Sequence, residues 1–168
     1  GDASHIEPAR WTERQRLPCL LFAAILRPMN STGPVNNSTD RAVPLPTADE
    51  ASQMLIAAIG QIEFARRYTL ELLDTIPPAQ WFTIPDGLST NVAWQVGHLT
   101  VSEYGLLMFR MRGRQSEDLD LIPGKDRKAY SRQSLPCSDP AAQPSIAELG
   151  DKLAEVHRRA LAEVSQID

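Results

Sequence analysis

Three stretches of the chain carry apolar residues at helical spacing. In the first, Leu55, Ala58, Ile59, Ile62, Ala65, Thr69, Leu72, Leu73 and Ile76 recur in steps of one, three and four, the period that lines one face of a helix. Glu63, Arg67, Glu71 and Asp74 occupy the opposite face, with Glu63 and Arg67 spaced as an i,i+4 pair. Thr47-Ala-Asp-Glu50 has the form of a capping box, and Pro77-Pro78 excludes further helix by steric clash and loss of a donor. This pattern predicts a helix over 48–76. In the last stretch, Ile146, Leu149, Leu153, Val156, Ala160 and Val164 follow a second capping box, Ser145-Ile-Ala-Glu148, which predicts a helix over 145–166. Gly150 weakens it by about 1 kcal/mol relative to alanine.

The middle stretch, Ser89 to Arg112, is different. Val92, Ala93, Trp94, Val96, Leu99, Val101, Tyr104, Leu106, Leu107, Met108 and Phe109 leave little surface for water. A helix apolar on almost every side is a buried one, so a central helix is predicted over 90–112, capped by Ser89 or Thr90 and fraying around Gly113. No strand alternation, hairpin dipeptide or internal repeat accompanies the three helices. The fold class is therefore all-α, an up-and-down helical bundle. A buried central helix requires about three neighbours, and two long ones are offered. The remainder of its surface is expected to be covered by the leader, the crossover, a partner subunit or a missing segment.

The connecting segments follow from their punctuation. Ala79 to Leu88 is a connector in which Trp81 and Phe82 tuck into the end of the bundle and Pro85-Asp86-Gly87 turns the chain. Gln115 to Pro144 holds Pro123, Pro136, Pro140 and Pro144 and reads as a long crossover with one helical turn near Asp126 to Tyr130. Residues 1–46 read as an irregular leader and linker, and 47–168 as the domain. The apolar run Leu20 to Leu26 is too short to span a bilayer and is expected as a short helix against the domain. Asp2, Glu7, Glu13 and Pro18 break the pattern of an export signal. A start at Met29, with the preceding residues an extension, accounts for the leader better.

Composition narrows the function classes. A chain of 168 residues can bury the core of one domain. The net charge of −4 argues against nucleic-acid binding, which needs clustered Lys and Arg. Arg110, Arg112 and Arg114 are followed at once by Glu117, Asp118 and Asp120, and the cluster reads as a solvated helix end. Cys19 and Cys137 have no metal-ligand or disulfide-framework spacing. Unpaired thiols suit a reducing, cytoplasmic compartment, and no segment reads as membrane-spanning.

Candidate chemistry lies on the central helix. Asn91, Gln95, His98 and Ser102 are spaced four, three and four apart, on one face. Two readings stand side by side. The stripe is the one solvent-facing edge of the helix, or His98 is an inward metal ligand with Gln95 and Ser102 as neighbours one turn away. His157 reads as a boundary residue or a charge near a helix C-terminus, and Glu103 as a partner for Arg110 or for a neighbouring helix. His5 belongs to the leader. No HExxH, Ser/His/Asp context or Gly-rich phosphate loop is present.

The order of an amphipathic helix, a Leu-Leu-x-x-Ile-Pro-x-x-x-Trp connector and Ser-x-x-x-x-Trp-Gln-Val-Gly-His-Leu-x-x-x-Glu-Tyr resembles the DinB-like (DinB/YfiT) superfamily from about Thr47 to Asp168. Trp94-Gln95-Val96-Gly97-His98-Leu99 is its most specific part. The resemblance implies a four-helix bundle that binds a divalent metal, Zn or Ni, through three histidines. It also implies a thiol-dependent transferase or isomerase acting with a low-molecular-weight thiol, often as a homodimer. His98 matches the first ligand position, with Trp94, Gln95, Ser102 and Tyr104 as candidate pocket residues for a small-molecule ligand. The matching pattern covers the first three helices, and the family's His-x-x-x-His pair of the fourth helix has no counterpart in this sequence. Whether the chain is an enzyme is therefore left open. The alternative is a non-catalytic helical bundle whose apolar seam forms a dimer or partner interface.

Overall fold

A computed structural model of the chain describes residues 45–167, which fall into two units, 45–72 and 73–167. The leader residues, including Leu20 to Leu26, His5 and Cys19, for which a short helix and an irregular path are expected, lie outside the described residues. Every described element is helical.

Helix α1, Ala48–Asp74, makes up the first unit and ends just inside the second. Its start is the predicted capping box. Glu50 accepts from the Thr47 backbone N–H and hydroxyl, both at 2.8 Å, while the Glu50 N–H reaches Thr47 Oγ1 at 3.3 Å. Those bonds hold the Glu50 carboxyl below its ordinary pKa. Away from the predicted stripe, Phe64 stacks on Tyr68 and Arg67 lies over the Phe64 ring.

The second unit begins with the connector. A 3-10 turn at Pro78–Gln80 buries Trp81, whose carbonyl accepts from the Ala93 N–H at 3.0 Å. Helix α2 then runs Val92–Tyr104. Its cap is Asn91, not Ser89 or Thr90 as predicted. Asn91 Oδ1 accepts from the Trp94 N–H at 2.9 Å, while its amide Nδ2 donates to the carbonyls of Phe82 and Cys137 at 3.0 and 2.9 Å. The same side chain caps the helix and ties the connector to the end of the crossover, and that is why it outcompetes its neighbours.

The predicted continuous helix to Arg112 is interrupted. A π turn at Gly105–Phe109 separates α2 from the short α3, Arg110–Arg112, with the Arg110 N–H reaching the Gly105 carbonyl. A π turn closes i→i+5 bonds and so advances less around the axis per residue. Tyr104, Met108 and Arg112, each four residues apart, thereby stay close to one face. The same turn leaves Leu106, Phe109 and Met111 exposed, contrary to the expectation that the whole stretch is buried.

Two short helices, α4 (Asp118–Leu121) and α5 (Gly124–Ala129), organise the crossover where one helical turn was predicted. Helix α6, Ile146–Val164, opens with the predicted Ser145–Glu148 capping box and buries Leu149, Leu153, Val156, Ala160 and Val164, all members of the predicted stripe. The core joins these elements: Tyr104 and Met108 meet Leu121, Ile122, Val156 and Ala160, with Val101 and Leu107 against them. Glu103 meets His157, and further along Arg112 meets Glu163. Contacts advance in the same sense on both helices, so the long crossover brings α6 back parallel to α2.

Candidate functional site

His98 sits in the second turn of α2, half-buried. Its Nδ1 lies 2.8 Å from the carbonyl oxygen of Tyr130, just beyond α5. A carbonyl can only accept, so Nδ1 carries the hydrogen, and in the neutral ring Nε2 keeps its lone pair. Ser102 Oγ is 3.5 Å from Nε2, one turn further along. The Trp94 ring stacks on the imidazole, 4.8 Å between centroids and 7° from parallel. Trp94 is itself anchored by Nε1–H donating to Ser134 Oγ at 2.9 Å.

Gly97 explains how the crossover comes so close. A Cβ at this position would lie 2.4 to 2.5 Å from Cδ1, Cε1 and Cγ of the Tyr130 ring, closer than van der Waals contact allows. Glycine lets the buried ring rest on bare helix backbone. The Tyr130 hydroxyl reaches Gln143 Oε1 at 3.3 Å, and burial, with a smaller contribution from the Asp126 carboxylate, pushes the phenol above its ordinary pKa.

The predicted candidates separate here. Trp94 and Ser102 are brought to His98. Gln95 is 8% exposed and turned inward, its Nε2 donating to Thr90 Oγ1 at 3.1 Å and its Oε1 buried without a partner among the described residues. Asn91 is 3% exposed, so the stripe as a whole is not a solvent-facing edge. Tyr104 belongs to the core, and its hydroxyl donates to Asp118 Oδ2 at 3.0 Å.

A second polar cluster lies at the far end of the same helix. Arg112 grips Asp118 with two bonds of 2.8 Å and Glu163 with bonds of 2.6 and 3.0 Å. The Asp118 side chain is 5% exposed and also accepts from the Gln115 N–H at 2.9 Å. The Arg112 guanidinium, with that N–H and the Tyr104 hydroxyl, holds the Asp118 carboxyl far below the usual range. The expected solvated helix end is thus a half-buried clamp. Sequence reasoning misses it because Glu163 is 51 residues away. Between the two clusters, His157 Nδ1 meets Glu103 Oε1 at 2.6 Å, which fulfils the expectation that Glu103 pairs with a neighbouring helix.

Sequence reasoning also gave Gly97 and Tyr130 no role. An isolated glycine inside an otherwise helix-forming run was the available signal, because such a residue often marks close approach. A cleft of about 500 Å³ lies among α2, α5 and α6, with Gly97, Thr100, Tyr130 and Leu149 in its walls. His98 is not part of that lining. Among the described residues no group of three or more His, Cys, Asp and Glu is arranged to hold a metal ion. No described helix is long and apolar enough to cross a membrane.

The helices, the π turn and the His98 corner define an all-α domain with an imidazole presented from its second long helix. The profile of the DinB superfamily matches residues 61–168, more than half of the chain, and the protein belongs to that superfamily. The match begins within α1, later than the resemblance read from Thr47. No curated protein and no solved structure matches the chain.

Proposed function

We propose that His98 is one imidazole donor of a divalent-metal site, with Zn or Ni as the ion, and that the remaining donors lie outside residues 45–167 in this chain or in a second copy. The observation that carries this reading is the Nδ1–H bond to the Tyr130 carbonyl. Ligating histidines characteristically donate their other ring N–H to a carbonyl or carboxylate, which fixes the ring and directs the free lone pair at the ion. One imidazole and one serine hydroxyl do not fit a tightly held ion by themselves, since such sites take three or four protein ligands. No reaction step is therefore assigned to the described residues. The family's thiol-dependent transferase or isomerase chemistry, with a low-molecular-weight thiol, depends on completing that set.

Metal analysis of the untagged full chain after Zn or Ni loading and dialysis tests the reading. One ion per chain, or one per two chains in a dimer, lost in His98→Ala, is the expected result. Wild-type protein that retains no metal overturns it.

A second reading is a non-catalytic bundle that self-associates. It is favoured by Leu106, Phe109 and Met111, which the π turn leaves 55, 45 and 58% exposed. Large apolar residues grouped at a surface are typical of an interaction face. Light scattering should then show a dimer that Phe109→Glu dissociates, and a monomer at all concentrations removes this reading.

A further inference from the structure

We infer that Gly97 and Tyr130 are positioning residues that set the tautomer of His98, with the hydrogen on Nδ1 and the lone pair on Nε2. The device uses two parts of one residue. The Tyr130 ring needs the bare backbone at Gly97, because a Cβ there would meet three ring atoms at 2.4 to 2.5 Å. The Tyr130 carbonyl, on the same residue, receives Nδ1–H at 2.8 Å. A ring pushed off that seat would therefore carry the carbonyl away with it.

The rest of the turn reinforces that seat. The Tyr130 N–H is bound to the Asp126 carbonyl at 2.9 Å. Ser134 Oγ is within bonding distance of the Ala129 and Ser131 carbonyls, at 2.6 and 2.8 Å, and accepts from Trp94 Nε1. Trp94 in turn faces the imidazole. The chain from α5 to Ser134 is thus fastened to α2 at Trp94, Gly97 and His98.

A methyl group at residue 97 must push the ring away from the helix. The carbonyl moves with it, Nδ1 loses its acceptor, and the hydrogen redistributes toward Nε2, the form a free imidazole prefers in water. A packing role alone predicts lower stability but no change of tautomer. The importance of this device for a ligand rests on the reading of His98 as a metal donor; the tautomer does not.

The test is long-range ¹H–¹⁵N correlation NMR on the ¹⁵N-labelled, metal-free full chain at a pH where its imidazoles are neutral, with His98→Gln identifying the signal. Wild type should show Nδ1 protonated and Nε2 bare. Gly97→Ala should lose that pattern, and Gly97→Ala with Tyr130→Ala should regain it, because the obstructing ring is gone while the carbonyl remains. An Nε2–H wild type, an unchanged Gly97→Ala spectrum, or a double variant as altered as the single one overturns the inference. Should Gly97→Ala fail to fold, Tyr130→Ala is compared with the double variant. Adding the methyl there should leave the tautomer unchanged and should not lower Tm, and loss of the Nδ1–H signal overturns the inference. A correct tautomer in a chain that binds no metal removes the proposed function and leaves this inference standing.

Discussion

The two ends of the second long helix hold their polar residues in opposite ways. Toward the C-terminal end, Glu103 is joined to His157, and Arg112 to Asp118 and Glu163, so charged groups meet charged or ionisable partners on the crossover and on α6. Toward the N-terminal end the partners are carbonyls and a serine: Phe82 and Cys137 for Asn91, Ser134 for Trp94, Tyr130 for His98. The two histidines make the contrast plain. Both use Nδ1, but His157 faces a carboxylate at 2.6 Å and His98 a carbonyl at 2.8 Å. A side chain can be fixed by packing alone, by saturating it with partners, or by holding one atom and leaving another free. The last arrangement suits a group that must meet something else.

The largest expected effect would test the saturated end. Asp118→Asn removes a buried partner of Arg112 and should cost about 3 kcal/mol, read by urea unfolding, with the His98 tautomer unchanged. A loss below about 1 kcal/mol would show that the clamp does not hold that end. Acid should expose the same group. The Asp118 carboxyl is depressed in the folded chain, so its contribution is complete above its unfolded value near pH 4, about the usual Asp figure. It is lost as pH falls from there toward the depressed native value. Wild type should therefore lose about 2 kcal/mol more than Asp118→Asn as pH is lowered through this window, measured by denaturation at each pH. Parallel profiles would contradict the assignment.

Smaller changes sharpen the histidine contrast. His157→Gln and His98→Gln should each cost about 1 kcal/mol of stability, but metal retention should disappear in the His98 variant alone. A His157 variant that also loses metal would break the comparison. Ser102→Ala should be the mildest, below about 0.5 kcal/mol, because its contact with Nε2 is 3.5 Å long. NMR should find Nδ1–H retained; a switched tautomer would move the positioning role from Tyr130 to Ser102.

Local signals made most of the helical framework legible. The two capping boxes and the apolar stripe of α6 depend on residues three and four apart, and each is found where the spacing puts it. What stayed hidden depends on distant partners. Asn91 prevails as the cap because its amide meets Phe82 and Cys137, the latter 46 residues away. Arg112 looks like a surface charge until Asp118 and Glu163 close on it. His98 could be singled out, yet its tautomer could not, because the acceptor is a backbone carbonyl 32 residues further on and carries no side-chain signature. Gln95 looked like a neighbour of His98 by spacing and Tyr104 was a pocket candidate through the family resemblance, but Thr90 and the core claim them.

The π turn at Gly105–Phe109 also acts as a counting device. Were the same residues to run on as a regular α-helix, everything downstream would be turned by about 100° around the axis. Arg112 would then point away from Asp118 and Glu163 although no residue of the clamp had changed. The length of this one turn, more than the identity of its residues, keeps the two ends of the helix in phase.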